Sequence, residues 1–259
     1  MRLIQLTDCH LFDDPAVRLG GVDTQATLAA VIDALASADP APDVVLATGD
    51  LTQLGEAGAY GRVRRLLQSL AMPVYCLPGN HDHRETFAAA MPGGGVHVTR
   101  SLCRGGWQIL FLDSTIPGED DGRLGEAELA ALDQALDARP DHHALVCLHH
   151  HPVVVGGAWR DVVSLENPDG LFAVIDRHPG VRGILFGHIH QAFDSERNGV
   201  KLMGTPSTCF QFVDDDGSLG IGGDPPGYRR LALAPDGSIE STVHWVGARA
   251  DFILPASAV

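Results

Sequence analysis

Five short apolar runs in this chain stop at residues that bind metals, and the stretches between most of them have the length and periodicity of helices. Arg2 to Thr7 ends in Asp8-Cys9-His10, and Val44-Val45-Leu46-Ala47 in Thr48-Gly49-Asp50. Val74-Tyr75-Cys76-Leu77 ends in Pro78-Gly79-Asn80-His81-Asp82, Ala144 to Leu148 in His149-His150-His151, and Gly183 to Phe186 in Gly187-His188-Ile189-His190. Uninterrupted apolar runs this short read as strands covered on both faces. Between them, Asp23-Thr24 caps a helix carrying Leu28, Val31, Ile32 and Leu35, which Pro40 and Pro42 end. Helices are also predicted over Glu56 to Ala71, Arg84 to Met91 and Glu126 to Ala138. Strand-helix-strand alternation predicts an α/β fold with a largely parallel sheet, where ligands bind beyond the carboxyl ends of the strands. One strand ending in Asp is an ordinary turn, but five such endings on one edge point to a site.

Two segments lack this pattern. Trp107 to Leu112 reads as a strand, but it ends in Asp113-Ser114 with no ligand signature. From Val200 onward, short runs at Lys201-Leu202-Met203, Tyr228 to Leu233 and Ile239 to Val246 predict antiparallel strands of a second sheet. Between them Asp214 to Gly227 is acidic and glycine-rich, and is expected to be a solvated connection or a flap over the site.

A chain of 259 residues that is 45% hydrophobic can bury a full core, and residues 1–259 are expected to form one domain. The net charge of -15 argues against nucleic acid and anionic membranes as partners, because no basic stripe exists to neutralise phosphates. The five cysteines are scattered and never paired as C-x-x-C, which fits neither a disulfide framework nor a zinc knuckle. The first apolar run is too short for a signal peptide, and no stretch reaches the roughly 18 apolar residues of a membrane span. A cytoplasmic protein is expected. Its oligomeric state is not fixed by the sequence, and a homodimer stays open.

In extended backbone, alternate residues share a face, so Asp8 and His10 are expected to converge while Cys9 turns away, and His188 and His190 to do the same. Three consecutive histidines cannot all do so. His149 is the first choice, His150 the next, and His151 is expected to line the rim or orient a neighbour. His83, His97, His142, His143, His178 and His244 lack such a context and read as surface or ordinary core residues. The candidate ligands are then Asp8, His10, Asp50, Asn80, His149, His188 and His190. Seven mixed oxygen and nitrogen donors exceed one tetrahedral site and suit two divalent ions such as Fe, Mn or Zn. Two ions about 3.5 to 4 Å apart can acidify a water and clamp the oxygens of an in-line phosphoryl displacement.

Taken in order, the blocks Asp8-x-His10, Gly49-Asp50, Gly79-Asn80-His81-Asp82, His149-His150 and Gly187-His188-x-His190 resemble those of the calcineurin-like metallophosphoesterases. More narrowly, Thr7 to Phe12, Ala47 to Leu51, Leu148 to Pro152, Gly187 to Gln191 and Thr205-Pro206-Ser207-Thr208-Cys209 are similar to the bacterial class III 3′,5′-cyclic AMP phosphodiesterases. The resemblance implies a sandwich of two mixed β-sheets flanked by helices. It also implies that Asp8, His10 and His190 hold one metal, that Asn80, His149 and His188 hold the other, and that Asp50 bridges them. Asn80, His81 and His10 would meet the substrate, His81 would protonate the leaving oxygen, and Asp82 would orient the His81 imidazole. The usual His-His-Pro-Pro block here reads His149-His150-His151-Pro152, which leaves His149 and His150 as alternatives. The implied activity is hydrolysis of cyclic AMP to 5′-AMP. A glycerophosphodiester or a 2′,3′-cyclic nucleotide is the alternative substrate. A non-catalytic binding protein on this scaffold would have lost ligands, whereas all seven positions and His81 are present.

Overall fold

The computed structural model describes residues 1–38, 40–157, 163–215, 218–248 and 253–255. Its first half alternates as expected: β1 (Arg2–Leu6), α1 (Thr24–Ala36), β2 (Val44–Thr48), α2 (Ala57–Gln68), β3 (Val74–Leu77), α3 (Arg84–Ala90) and β4 (Val96–Val98). Next come β5 (Ser101–Arg104), β6 (Trp107–Phe111), α4 (Glu126–Asp137), β7 (His143–Cys147), α5 (Pro168–Ile175), β8 (Val181–Phe186), β9 (Phe193–Arg197) and β10 (Val200–Gly204). The chain closes with β11 (Gln211–Asp215), β12 (Ser218–Gly222), β13 (Gly227–Leu233), β14 (Ile239–Trp245) and β15 (Ile253–Pro255). Helix α1 starts where its cap predicts, with the Asp23 carboxylate accepting the Ala26 N–H at 2.9 Å.

Two six-stranded mixed sheets face each other, in the orders β14-β13-β1-β2-β3-β4 and β5-β6-β7-β8-β10-β9. The apolar runs lack a polar face because both faces are covered. In β1 and β2, Leu3, Val44 and Leu46 point between the sheets, where they meet Trp107, Leu145 and Leu185. Ile4, Leu6, Val45 and Ala47 point the other way and pack with Leu28, Val31, Val63 and Leu67 of α1 and α2. The second sheet repeats this, with Leu145 and Cys147 facing inward and Ala144 and Val146 packed with residues of α4 and α5. The result is the expected sandwich, ordered helix, sheet, sheet, helix.

The division of strands between the sheets differs from the sequence reading. The three strands expected after Val200, now β10, β13 and β14, do not make a second sheet of their own. β10 pairs in parallel with β8, whereas β13 and β14 extend the first sheet antiparallel to β1. The parallel strands are in turn split between the two sheets. Doubly covered strands look alike in sequence whichever sheet they join, so only long-range pairing separates them. Most of Asp214 to Gly227 is not a bare connection either. It supplies the end of β11 and all of β12, a hairpin that with β15 forms a small third sheet, while Asp216 and Gly217 fall outside the described residues.

Polar side chains tie the sheets together below the strand ends. Gln5 on β1 donates to Thr48 Oγ1 at 2.7 Å and to the Phe186 carbonyl of the second sheet at 3.0 Å. Arg229 on β13 is 1% exposed and reaches the β9–β10 edge, donating to Asp194 Oδ1 at 2.7 Å and to the Gly204 carbonyl at 2.7 Å. Among the described residues, no helix is long and apolar enough to cross a membrane.

Candidate metal centre

All five ligand-bearing turns follow the carboxyl ends of β1, β2, β3, β7 and β8, so two sheets contribute to one site. The backbone there is not extended, as the alternation argument assumed. Asp8, His10, Asp50, His188 and His190 all have positive φ, from 48° to 70°. Such conformations cost L-residues about 1–2 kcal/mol each. They turn Asp8 and His10 to one side by left-handed kinks rather than by pleating. Cross-strand bonds offset the cost: Asp8 N–H donates to the Gly49 carbonyl at 3.0 Å and His10 N–H to that of Asp50 at 2.9 Å. The His188 N–H donates to the Asp8 carboxylate at 3.1 Å. The glycine preceding Asp50 has a steric role, since a Cβ at Gly49 would lie 2.4 Å from His149 Nδ1.

Three triads have ligand atoms mutually within 4.8 Å: Asp8, His10 and His190; Asp50, His149 and His188; and His10, Asp50 and His81. Asp50 belongs to two of them. Its carboxylate lies 3.2 Å from His149 Nε2 and 3.7 Å from His10 Nε2, and accepts the His81 N–H at 2.9 Å. Asn80 joins through Oδ1, 3.1 Å from His188 Nδ1.

The imidazole tautomers test whether this donor set fits cations. His190 Nδ1 faces the Phe210 carbonyl at 2.9 Å, His149 Nδ1 the Thr48 carbonyl at 2.9 Å, and His10 Nδ1 the Gln53 amide oxygen at 2.7 Å. His188 is reversed, with Nε2 facing the Val163 carbonyl at 2.7 Å. Those oxygens only accept, so each ring protonates there and turns a lone pair toward the site. Lone pairs then face acceptors: His10 Nε2 against His190 Nε2 at 3.1 Å, and His188 Nδ1 against Asn80 Oδ1 at 3.1 Å. His149 Nε2 is buried without a hydrogen-bond partner, beside the Asp50 carboxylate. Contacts between acceptors repel unless a cation lies between them. The residues fit metal ions.

Electrostatics agree. Burial would raise the Asp8 carboxyl, but the facing His190 and His149 imidazoles hold it below the usual carboxylate range. Asp50 is held well below that range, its burial outweighed by His149 and His81. Burial drops the His10 imidazole to about 3 and also pushes His188 down. Burial would lower His149 too, yet the Asp50 and Asp8 carboxylates lift it to about 9, so with no metal bound its Nε2 carries a proton toward Asp50 in the place that a metal ion would take. Ionised Asp8 and Asp50 beside His10 and His188, which burial holds neutral, form a pocket that stabilises positive charge.

Other expected roles change. Asp82 does not orient His81: its carboxylate turns away and accepts from Gly79 N at 3.0 Å, Leu51 N at 3.2 Å, Thr52 N at 3.3 Å and Tyr60 Oη at 2.9 Å. A carboxylate beside several backbone N–H groups braces the loop. Burial and the neighbouring Asp50 raise it to about 6. The His81 ring is set instead by the Gln53 carbonyl, 3.1 Å from Nδ1. Gln53 thus positions both His10 and His81, and only its location in the fold reveals it. Between the two alternatives, the structure brings His149 and not His150 into a triad. His150 Nδ1 lies 2.8 Å from Ser114 Oγ, which gives a role to the strand end that lacked a ligand pattern. His151 does not line the rim. It is fully buried and stacks on His188 at 5.8 Å. A cavity of about 270 Å³ opens onto His10, Asp50, Asn80, His81, His188 and His190.

The family model of calcineurin-like phosphoesterases matches residues 1–192, a span that contains every one of these clusters. The chain belongs to that family. This calcineurin-like phosphoesterase is 40% identical over 241 residues to the 3′,5′-cyclic adenosine monophosphate phosphodiesterase CpdA of Pseudomonas aeruginosa, covering 93% of this chain and 88% of that protein. It is 39% identical to a 3′,5′-cyclic-nucleotide phosphodiesterase of a Nostoc species, covering 91% and 89%. Its fold is similar to the crystal structure of a dimetal phosphatase from Danio rerio, with a TM-score of 0.66 at 12% identity, covering 95% and 99%. Family and triads together support a dimetal centre in this calcineurin-like phosphoesterase.

Proposed function

We propose that the chain hydrolyses 3′,5′-cyclic AMP to 5′-AMP, with Asp8, His10 and His190 holding one metal, Asn80, His149 and His188 the other, and Asp50 shared between them. Fe, Mn or Zn suits this set of oxygen and nitrogen donors. A pair of such ions, when bound, supplies an acidified water and neutralises phosphate oxygens. The protein's own groups do the rest. Asn80 and His10 position the phosphodiester beside the ligand cluster. His81 hydrogen-bonds it; with Nδ1–H directed at the Gln53 carbonyl, the imidazolium form holds a second proton on Nε2, gives that proton to the departing 3′ oxygen and is left as the neutral ring. Asp82 keeps the Gly79 to Asp82 turn in place.

The observation that carries the substrate is the 40% identity, spread over 93% of the chain, to a cyclic AMP phosphodiesterase. A net charge of -15 supports a small diester over nucleic acid or an anionic membrane, and five free cysteines support a reducing, cytoplasmic setting. The test is initial rates of the Mn-loaded protein on 3′,5′-cyclic AMP, 2′,3′-cyclic AMP, glycerophosphocholine and an aryl phosphodiester. The expected kcat/KM is at least about tenfold higher for 3′,5′-cyclic AMP and is abolished by a chelator, because that ratio measures discrimination. A preference for 2′,3′-cyclic AMP or glycerophosphocholine would overturn the substrate and leave the dimetal reading standing.

A further inference from the structure

The cavity over the triads has two unlike ends. Toward His81 it is polar. At the His190 end it is lined by Leu19, Phe210, Phe212 and Leu219, brought together by the loop before α1 and the β11–β12 hairpin. These four share one apolar cluster, and the cluster adjoins the candidate ligands directly: His190 stacks on Phe212 with centroids 4.3 Å apart, and the Phe210 ring lies 5.2 Å from it. A second cavity of about 560 Å³ shares Asn80 and His81 with the first and is lined further by Leu54, Arg84, Ile116 and Glu119 among others. A nucleoside cyclic phosphate also has two unlike ends, a charged diester and a flat aromatic base. With the diester at the triads, the base lies either against the Phe210–Phe212 wall or in the second cavity.

Desolvation decides between them. The wall residues Leu19, Phe210 and Phe212 are already held by packing, so a planar ring laid against them and half-buried Leu219 takes its own apolar face out of water at little ordering cost to the protein. Leu54 is 65% exposed and its cavity carries Arg84, Glu85 and Glu119, groups that a base would have to desolvate. Resting on the proposed cyclic-nucleotide activity, we infer that Leu19, Phe210, Phe212 and Leu219 form the base subsite. The wall holds the base by its apolar faces. None of the four side chains donates or accepts a hydrogen bond, so the subsite recognises that a base is present more than which base it is.

The experiment compares 3′,5′-cyclic AMP, 3′,5′-cyclic GMP and 1-deoxyribose 3′,5′-cyclic phosphate, which lacks the base, on the Mn-loaded wild type and on Leu219→Ala, Phe212→Leu and Leu54→Ala. For Leu219→Ala and Phe212→Leu, the ratio of kcat/KM for cyclic AMP to that for the base-free ester is expected to fall roughly tenfold, a typical effect of truncating an apolar contact. For Leu54→Ala it stays within about twofold, and wild-type rates on the two nucleotides agree within about tenfold. Calorimetric affinity for 5′-AMP relative to ribose 5-phosphate should fall in parallel, without reference to turnover. Leu219 is half-buried on a hairpin, so its truncation keeps the test valid where Phe212→Leu disturbs folding. An unchanged ratio in Leu219→Ala, or a fall in Leu54→Ala instead, overturns the subsite while cyclic AMP remains the substrate. A wild type that cleaves other diesters but not cyclic AMP overturns the substrate and the subsite together.

Discussion

At His188 the direction of one imidazole is decided 25 residues away, where the Val163 carbonyl takes Nε2 and leaves Nδ1 for the site. Residue types could nominate ligands because Asp, Asn and His are costly to bury without a purpose, and four of the seven nominated positions are 2% exposed or less. The holders of those ligands were not legible, since Thr48, Val163 and Phe210 act through backbone carbonyls that any residue possesses. The role expected of Asp82 failed for a related reason: adjacency to His81 in sequence says nothing about where a carboxylate turns. Roles at this scale separate by substitution. Asp50→Ala removes the one carboxylate common to two triads, so bound metal should fall well below two ions per chain and activity should be lost. His81→Ala should keep its metal and lower kcat by about 10²- to 10⁴-fold, the range of general acid catalysis. Elemental analysis beside steady-state rates checks both, and equal metal loss in the two variants would refute the division of roles.

Strands and helices were largely readable because their faces differ: five strand ends and four helices fall within a few residues of the sequence reading. Helix α5 and the edge strands β4, β5 and β9 escaped it, being short or only partly buried. The turns after the strands carry information that periodicity cannot show. There the chain leaves extended geometry, and glycine lets neighbouring turns approach. Two glycines separate backbone strain from crowding. Gly49 has φ +94° with His149 Nδ1 in the space a Cβ would take, whereas Gly21 has φ +80° with nothing within 4 Å. Gly21→Ala should cost only the left-handed conformation, about 1 kcal/mol. Gly49→Ala adds overpacking against a ligand and should cost about 3 kcal/mol or more, with reduced metal content. Urea unfolding of the two variants measures the difference, and equal costs would show that His149 yields freely.

Assembly of the sheets depended on pairings between residues far apart in sequence, such as β13 with β1, and these set how many folding units the chain contains. Residues 1–259 were expected to form one domain, yet the described residues hold four apolar clusters and a small third sheet that could melt by itself. The cysteines report on this. Cys9 and Cys76 lie in the cluster under α1 and α2, Cys147 between the sheets and Cys209 in the cluster beside the base wall, whereas Cys103 is exposed. Burial pushes the Cys209 thiol up to about 12 and raises Cys9, Cys76 and Cys147 as well, so at pH 8 these four are protonated and shielded. Native protein should therefore react at Cys103 alone with a thiol reagent, and at all five positions in denaturant. Pulse labelling across a urea series, read by peptide mass spectrometry, resolves the four buried sites. If β13, Gln5 and Arg229 bind the sheets into one unit, Cys76, Cys147 and Cys209 become reactive at a common midpoint, as a two-state transition requires. An earlier midpoint for Cys209 alone would mean that the wall beside the metal centre unfolds as a separate unit.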